Sequence, residues 1–578
     1  MIKKLSLALG LSVLVSFGLR AQGTWTFAAP TDGAGTAGAE TARSICSDAS
    51  GNVYIVGVFT SSGGSTDLDM SAGTNLVTSQ AADGFIMSYD KNGAFRWQTI
   101  VTGTSGDFSA PAGGICTDGT NVWVAGSCNM TGAPVIASSS NTVTITSPGA
   151  GVDALVAKMN CSNGAVQWAQ AFGGTGALDF GEGICVDPSG NCYVSGSYSS
   201  SFTLGSFTTP VPGGTSDFYI AKFNSSGTLT AINTGGSIAN TDMIGTGGGL
   251  CYVPGATPAI VATGHTGASS ATFGSFTGLA NSGLNDAFLL EMDLNLNYSN
   301  AIIIGSAAAD ELISATYDSF SGAVYVCGYN SGAVTFPGTS ALTNLGSQDI
   351  MVARYNVASN NFTWAKDVGS ASNDRAWCIT SDNNGGILMS GYAQGAPCDF
   401  GNGVTMSTNA GFADMYVMRY NTSGTAQWIL TAASATTEEC RGISSYVQSA
   451  PYVQTIFATG IYGGAVSIGS TALANDGGND FFLAKINDAT LPLTATQSQV
   501  NLTCNGVCTG QATVVSSGGT APYTYAWSPS GGSGATASSL CATNYTCTIT
   551  DAASSSITKT FNITQPSAIV VTPVSQTN

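Results

Sequence analysis

Carboxylates are the groups from which this sequence could assemble a catalytic pair, because other reactive types are scarce. Its 578 residues include 33 Asp and Glu but one histidine, His265. That histidine directly follows Gly264, in a slot that similar stretches fill with Val58, Ser127, Ser197, Tyr329, Tyr392 and Ile461. It reads as an ordinary loop residue. With it set aside, Ser-His-Asp hydrolysis and Cys-His chemistry have no base, and a multi-histidine zinc site has no second ligand. Two acids held across a sugar would make a glycosidase. Local pairs occur at Asp310-Glu311, Glu438-Glu439 and Asp67/Asp69, and each reads as solvated loop acid. A further set recurs at regular spacing: Glu40, Asp107, Asp179, Asp242, Asp310, Asp374 and Glu439. Recurrence favours a structural bond to turn backbone, since an active site needs asymmetry. A ring of such acids at one mouth could instead hold Ca²⁺, a hard ion that takes oxygen ligands. Asp107, Asp179, Asp242, Asp310 and Asp374 are the candidates, and no other cofactor is expected. Glycine-rich runs such as Gly245–Gly249 mimic phosphate loops, but no helix follows to present its N-terminus.

The elements that would position these groups repeat seven times. A phrase opening on Asp starts at Asp83, Asp153, Asp217, Asp286, Asp349, Asp414 and Asp480, reading DGFIMSYD, DALVAKMN, DFYIAKFN, DAFLLEMD, DIMVARYN, DMYVMRYN and DFFLAKIN. The steps are 70, 64, 69, 63, 65 and 66 residues. In step with it run an apolar strand, a turn such as DASGN or DPSGN, and a strand closing on Gly57, Gly126, Gly196, Gly264, Gly328, Gly391 or Gly460. These turns supply the positive φ of a chain reversal. A last strand carries Trp97, Trp168, Trp364 or Trp428 in four of the repeats. Four strands per unit at this period predict a radial repeat, a propeller of four-stranded blades. The recurrent Asp residues are expected to cap turns by accepting backbone N–H bonds. The last repeat lacks its final strand, whereas TWTFAA at Thr24 to Ala29 is such a strand with nothing before it. The N-terminal strand, with Trp25, should therefore close the ring on Phe481–Ile486 and cover an open edge.

These in-phase phrases resemble the seven-bladed β-propeller repeat (SBBP) family of secreted bacterial proteins over roughly residues 24–487. Repeats 4 and 7 depart most, with YVPGAT and YVQSAPY at the first turn. Beyond them, residues 489–500 read as a linker, and the text then changes to CNGVCTGQATVVSSGGTAPYTYAWSPSGG and LCATNYTCTITDAASSSITKTFNITQP. This is similar to an SprB-type repeat, a module of large surface adhesins in gliding bacteria, on Cys504, Cys508, Gly518-Gly519, Pro522 to Trp527, Cys541, Tyr545 and Asp551. Ser554–Ser556 stands where the family often has a further Cys. Cys504, Cys508, Cys541 and Cys547 are the disulfide candidates, with three connectivities open. Tyr545, two residues before Cys547, suits the tyrosine corner of an immunoglobulin-like sandwich. The resemblance implies export by the type IX route. The closing SAIVVTPVSQTN echoes the linker before Cys504, as if a further repeat followed a chain cut short.

Composition limits the partners. Charged residues make up 8% of the chain and the net charge is −18, with no Lys/Arg cluster. Nucleic acid and anionic lipid are poor partners for such a surface. Lys3, Lys4 and the apolar stretch Leu5 to Leu19 form a secretory signal with cleavage after Ala21, and no second stretch of spanning length exists. The expected layout is a signal peptide 1–21, a seven-bladed all-β propeller 22–488, a linker 489–500, a small immunoglobulin-like sandwich 501–567, and a linker 568–578. Eleven of the fifteen Cys lie in the propeller, where buried thiols are the expected state; Cys46, Cys116 and Cys185 take equivalent places, and Cys185 could face Cys192. Function is expected to be non-enzymatic recognition of a glycan or protein by an exported monomer at the cell surface. A carboxylate-based carbohydrate-active enzyme is the alternative. It requires two or more acids that break the seven-fold pattern and converge on one pocket.

Overall fold

The computed structural model describes residues 24–30, 39–60, 65–67, 76–78, 82–103, 114–146, 151–176, 178–237, 243–244, 249–267, 270–382, 385–407, 412–449, 452–475, 478–488, 493–517, 523–551 and 556–570. The signal segment, Asp69, Asp107, Asp242, most of Gly245–Gly249, Gly518-Gly519, Pro522 and residues 571–578 lie outside them, as do the side chains of Asp67 and of Thr24–Pro30. The chain divides into one compact unit over Gln22–Ala489 and another that includes Thr490–Asn578. Among the described residues, regular structure is strand apart from single 3₁₀ turns at Met130–Gly132 and Val357–Ser359.

The first unit is a β-propeller built of sheets with one antiparallel plan. In the third repeat the strands run Phe180–Val186, Cys192–Tyr198, Asp217–Phe223 and Leu229–Ser237, each paired with the next. Seven such sheets occur among the described residues. One innermost strand of each lines a common cavity of about 470 Å³, through Ile45, Ile115, Ile184, Leu250, Ala315, Ile379 and Ile443. Asp217–Phe223 is buried at six of its seven positions. Both faces of the strand are therefore covered by neighbouring sheets, which is why the repeats read as near-continuous apolar text.

Local chemistry explains the turns. Asp48 Oδ1 accepts from Ser50 N and Asn52 N at 2.9 Å, and its Oδ2 accepts from Asn52 Nδ2 and Tyr54 OH. Asp187 repeats this set with Ser189, Asn191 and Tyr193. Gly51 and Gly190 take φ +81° and +77° there, and a Cβ on Gly51 would strike the Tyr446 ring. Outermost-strand tryptophans tie four of the sheets to the next. Trp97, Trp168 and Trp364 donate to Cys161 O, Ser225 O and Thr422 O in the following repeat, and Trp428 donates to Asp488 Oδ2.

The last sheet is completed from the other end of the unit. Thr24–Pro30 pairs antiparallel with Asp480–Asp488, from Thr24 opposite Asn487 to Pro30 opposite Phe482. Glu40 N donates to Asn479 O at 2.7 Å, as Asp179 N does to Val152 O and Asp374 N to Gln348 O at other junctions. Lys485 Nζ reaches Lys91 O at 2.9 Å, as Lys158 reaches Ser225 O and Lys222 reaches Leu294 O. The first sheet follows the last just as each sheet follows its predecessor.

The C-terminal unit holds two three-stranded sheets around one core that includes Val514, Trp527, Tyr545, Cys547, Ile549 and Phe561. The expected linker 489–500 is corrected here, because Thr494–Val500 is a strand paired with Gly510–Ser517. Its Gln497 and Gln499 amides donate to Thr560 O and Asn562 O of the other sheet, so polar side chains seal the sandwich edge where a linker had been read. Tyr545 OH accepts from Cys541 N at 3.0 Å.

Cys508 and Cys541 are disulfide-bonded. Cys504 and Cys547 are thiols: strand alternation turns Cys547 into the core with Tyr545 and Ile549, whereas Cys504 is exposed, so the two cannot meet. All eleven propeller cysteines are free. Cys251 joins Cys46, Cys116 and Cys185 at equivalent places, opposite Val261, Tyr54, Trp123 and Tyr193 respectively, and burial pushes all four thiols up. Cys185 pairs with Tyr193 and Val186 with Cys192, so Cys185 and Cys192 are offset by one and point to opposite faces. A thiol reagent should label Cys504 rapidly in the native protein. It should label thirteen cysteines after denaturation without reduction, which mass spectrometry would count.

Candidate functional site

The recurrent acids occupy structural positions. Asp179 Oδ2 accepts from Gly174 N and its Oδ1 from Ser199 N. Asp310 does the same with Ser306 N and Ser331 N, and Asp374 with Ser370 N and Gln394 N. In the last sheet this place belongs to Glu438, which accepts from Ser434 N, and not to Glu439. Asp310 and Glu438 are therefore fully buried, and the reading of Asp310-Glu311 and Glu438-Glu439 as solvated pairs is corrected. Adjacent strand residues face opposite ways, so each pair is split between the crossing and the channel. The third-strand residues Asp83, Asp153, Asp217, Asp286, Asp349, Asp414 and Asp480 are also buried. Asp83 accepts from Thr102 Oγ1, Asp217 from Gly213 N, Asp286 from Ser282 N, and Asp349 from Leu345 N and Gly346 N. Among the described residues, no three His, Cys, Asp or Glu gather as a metal-binding group.

Asymmetry enters three residues after each crossing acid. There the innermost strand bulges, with register shifts between Ala42 and Ser44, Gly181 and Gly183, Leu312 and Ser314, Ala376 and Cys378, and Cys440 and Gly442. A bulge re-aims its extra residue. Those residues are Arg43, Glu182, Ile313, Trp377 and Arg441, each one or two steps before the strand segment that lines the axial cavity. Glu311, Arg375 and Glu439 lie two residues earlier on the same strands. Opposite Glu311 and Arg375 stand Tyr329 and Tyr392, and opposite Met243 stands His265.

These side chains converge at one mouth. His265 is no loop residue: it lies buried in the strand Ala259–Gly267, with Nδ1 3.6 Å from Glu311 Oε1. Arg375 Cζ sits 4.3 Å from the centre of the Tyr329 ring and 5.7 Å from that of Trp377, and its Nε donates to Gln348 Oε1 at 2.8 Å. Arg441 Cζ is 5.9 Å from the Trp377 ring, and its Nε donates to Glu439 Oε2 at 2.9 Å. Burial and then the charge of Arg441 lower Arg43 to about 10, against the opposing pull of Glu439. Burial, then the charge of Glu311, push the Tyr329 phenol up. The mouth is polarised, with Glu182, His265 and Glu311 on one side and Arg375, Arg441 and Arg43 on the other.

Glu182 has no exposed surface. Burial first, and the charge of Glu311 second, push its carboxyl up to about 8, while a bond from Ser197 Oγ pulls the other way. Its folded value lies above its unfolded value, so the stability it contributes is complete below about pH 4.5 and is lost as pH rises through about 8. The isosteric Glu182→Gln should therefore match the parent near pH 5. Near pH 9 it should be the more stable protein, by on the order of 3–5 kcal/mol. Denaturant melts of both proteins across that range check the divergence.

None of Arg43, Glu182, Arg375, Trp377 or Arg441 is conspicuous in the sequence. The available signal is positional: the third residue after the crossing acid changes in charge and size between repeats, as Arg43, Glu182, Ile313, Trp377 and Arg441.

With this geometry in hand, comparison with known proteins adds family matches over short stretches. Residues 167–201 match the SBBP beta-propeller repeat, covering one outermost strand, the Asp179 crossing and the first two strands of the next sheet. Residues 496–532 match the SprB repeat, beginning inside the strand that had been read as linker. No curated protein matches the chain. A solved structure similar in part is a subtype N10 neuraminidase-like protein of A/little yellow-shouldered bat/Guatemala/060/2010, at 9% identity, covering 80% of this chain and 98% of that one, with a TM-score of 0.32. The chain thus carries a beta-propeller repeat of the SBBP family and, after it, an SprB repeat.

Proposed function

We propose that the chain is an exported, surface-displayed recognition and adhesion protein, in which a seven-bladed propeller binds a glycan or protein at its polarised mouth and an immunoglobulin-like sandwich repeat serves as stalk. One observation carries the reading. The residues that break the repeat, Arg43, Glu182, His265, Glu311, Arg375, Trp377 and Arg441, gather at a single end of the axial cavity. Asp179, Asp310, Asp374 and Glu438 are engaged in structural bonds, so this mouth is where the sheets differ in chemistry. The SprB match supports surface adhesion as the setting.

A carboxylate-based carbohydrate-active enzyme remains the second reading, favoured by Glu182 and Glu311 as two pattern-breaking acids near one another. Glu182 has no surface that a sugar could touch, which favours binding without turnover. The test is a glycan and protein array probed with residues 22–578, together with reducing-end assays on polysaccharides. Binding without hydrolysis supports recognition. Hydrolysis abolished by Glu311→Gln would establish the enzyme instead, and no binding to either array would overturn the recognition reading.

A further inference from the structure

We propose that the arginine side of this mouth is an anion subsite, and that the propeller's ligand is a carboxylate-bearing saccharide held there while its neutral ring enters the axial cavity. The proposal rests on the recognition reading above and narrows its ligand class.

The first argument is charge. In a chain of net charge −18, three guanidinium groups from three adjacent sheets meet at one mouth. Glu439 is the only carboxylate in an ion pair with any of them among the described residues. Such an excess of positive charge in an acidic protein favours an incoming anion.

The second argument is unmet hydrogen bonding. Arg43 Nε and Trp377 Nε1 are shielded from water, and neither has a hydrogen-bond partner among the described residues. Buried donors ordinarily find acceptors. Both belong to bulge residues flanking Arg441, so one bound oxyanion could serve both sheets. Guanidinium forks match the planar geometry of a carboxylate.

The third argument is what lies behind the anion. Ser44 and Cys378 directly follow Arg43 and Trp377 and line the cavity of about 470 Å³. The described lining includes the hydroxyls of Ser44, Thr117, Ser314, Thr316 and Thr380 and contains no charged side chain. A chamber of this size, neutral and lined by hydroxyls set among isoleucine, leucine and cysteine side chains, suits a sugar ring, with its polar edges and apolar faces, whose charge is left at the entrance.

Isothermal titration of residues 22–578 with a short oligogalacturonate, its fully methyl-esterified form and an acidic peptide tests the proposal. The acid form should bind, and the ester at least about tenfold more weakly, as loss of a charge-assisted contact requires. Arg43→Gln should cause a similar drop at an unchanged melting temperature. The ester comparison uses the parent protein, so it decides the matter even if the variant fails to fold. Equal affinity for acid and ester, or binding of neither, would overturn the anion subsite. A neutral glycan bound without regard to Arg43→Gln would also overturn it, while leaving recognition intact. Preference for the acidic peptide would overturn the saccharide assignment.

Discussion

Removing Thr24–Pro30 should leave a propeller that aggregates more than the parent and melts far below it. The segment supplies the outermost strand of the last sheet, hydrogen-bonded along Asp480–Asp488. Without it that strand presents an unpaired edge, a template for pairing with another chain. Losing the ladder should cost roughly 5 kcal/mol, at about 1 kcal/mol net for each backbone bond. Size-exclusion profiles and thermal melts of chains beginning at residue 22 and at residue 31 make the comparison. Equal melting temperatures and equal monomer fractions would show that this strand does not hold the last sheet. A peptide of residues 23–30 added in trans should restore part of the loss, because the contact is mostly backbone pairing.

Arg419→Met should be the most damaging single substitution away from the mouth, costing about 3–5 kcal/mol, the loss expected when one member of a buried ion pair is removed. Arg419 is 4% exposed. Its Nε and Nη2 donate to Asp382 Oδ2 at 2.9 and 2.8 Å, and its Nε lies 3.4 Å from Asp488 Oδ2 in the last sheet. Trp428 Nε1 donates to the same Asp488 oxygen at 3.0 Å. Without the guanidinium, two buried carboxylates would lose the cation they share. The double variant Arg419→Met/Asp382→Asn should recover part of the stability, which chemical denaturation would measure. A loss below about 1 kcal/mol for the single variant, the range of exposed pairs, would place this cluster in water rather than in the core.

The sheets were legible because each strand phrase recurs with its turn chemistry, as at DASGN and DPSGN. The complement of an orphan N-terminal strand and an incomplete last repeat was legible for the same reason. What periodicity hides is any residue that departs from it. Arg43, Glu182, Trp377 and Arg441 are of three unrelated residue types scattered over four repeats, and only the shared bulge brings them together. His265 was misread because the strand continues past Gly264, carrying the residue after the glycine into the interior. Glu438 and Glu439 are neighbours with the same chemistry, and only strand alternation decides which one caps the crossing. Gln497 and Gln499 look like linker because their sealing contacts are made by side-chain amides, which leave no apolar pattern.

The pairing of Thr24 with Asn487 has a kinetic meaning. Among the described strands of this unit, Thr24–Pro30 is synthesised before the others yet has its partner in the last repeat, so the ring cannot close until the whole unit has been synthesised. Contacts this distant in sequence form late and slowly. Earlier sheets can form as they emerge, but a partial ring exposes sheet faces that only the next repeat will cover, and such intermediates are prone to misassembly. A chain of this design is therefore best kept open until its last repeat has arrived, and then completed in one step by the segment that was made first.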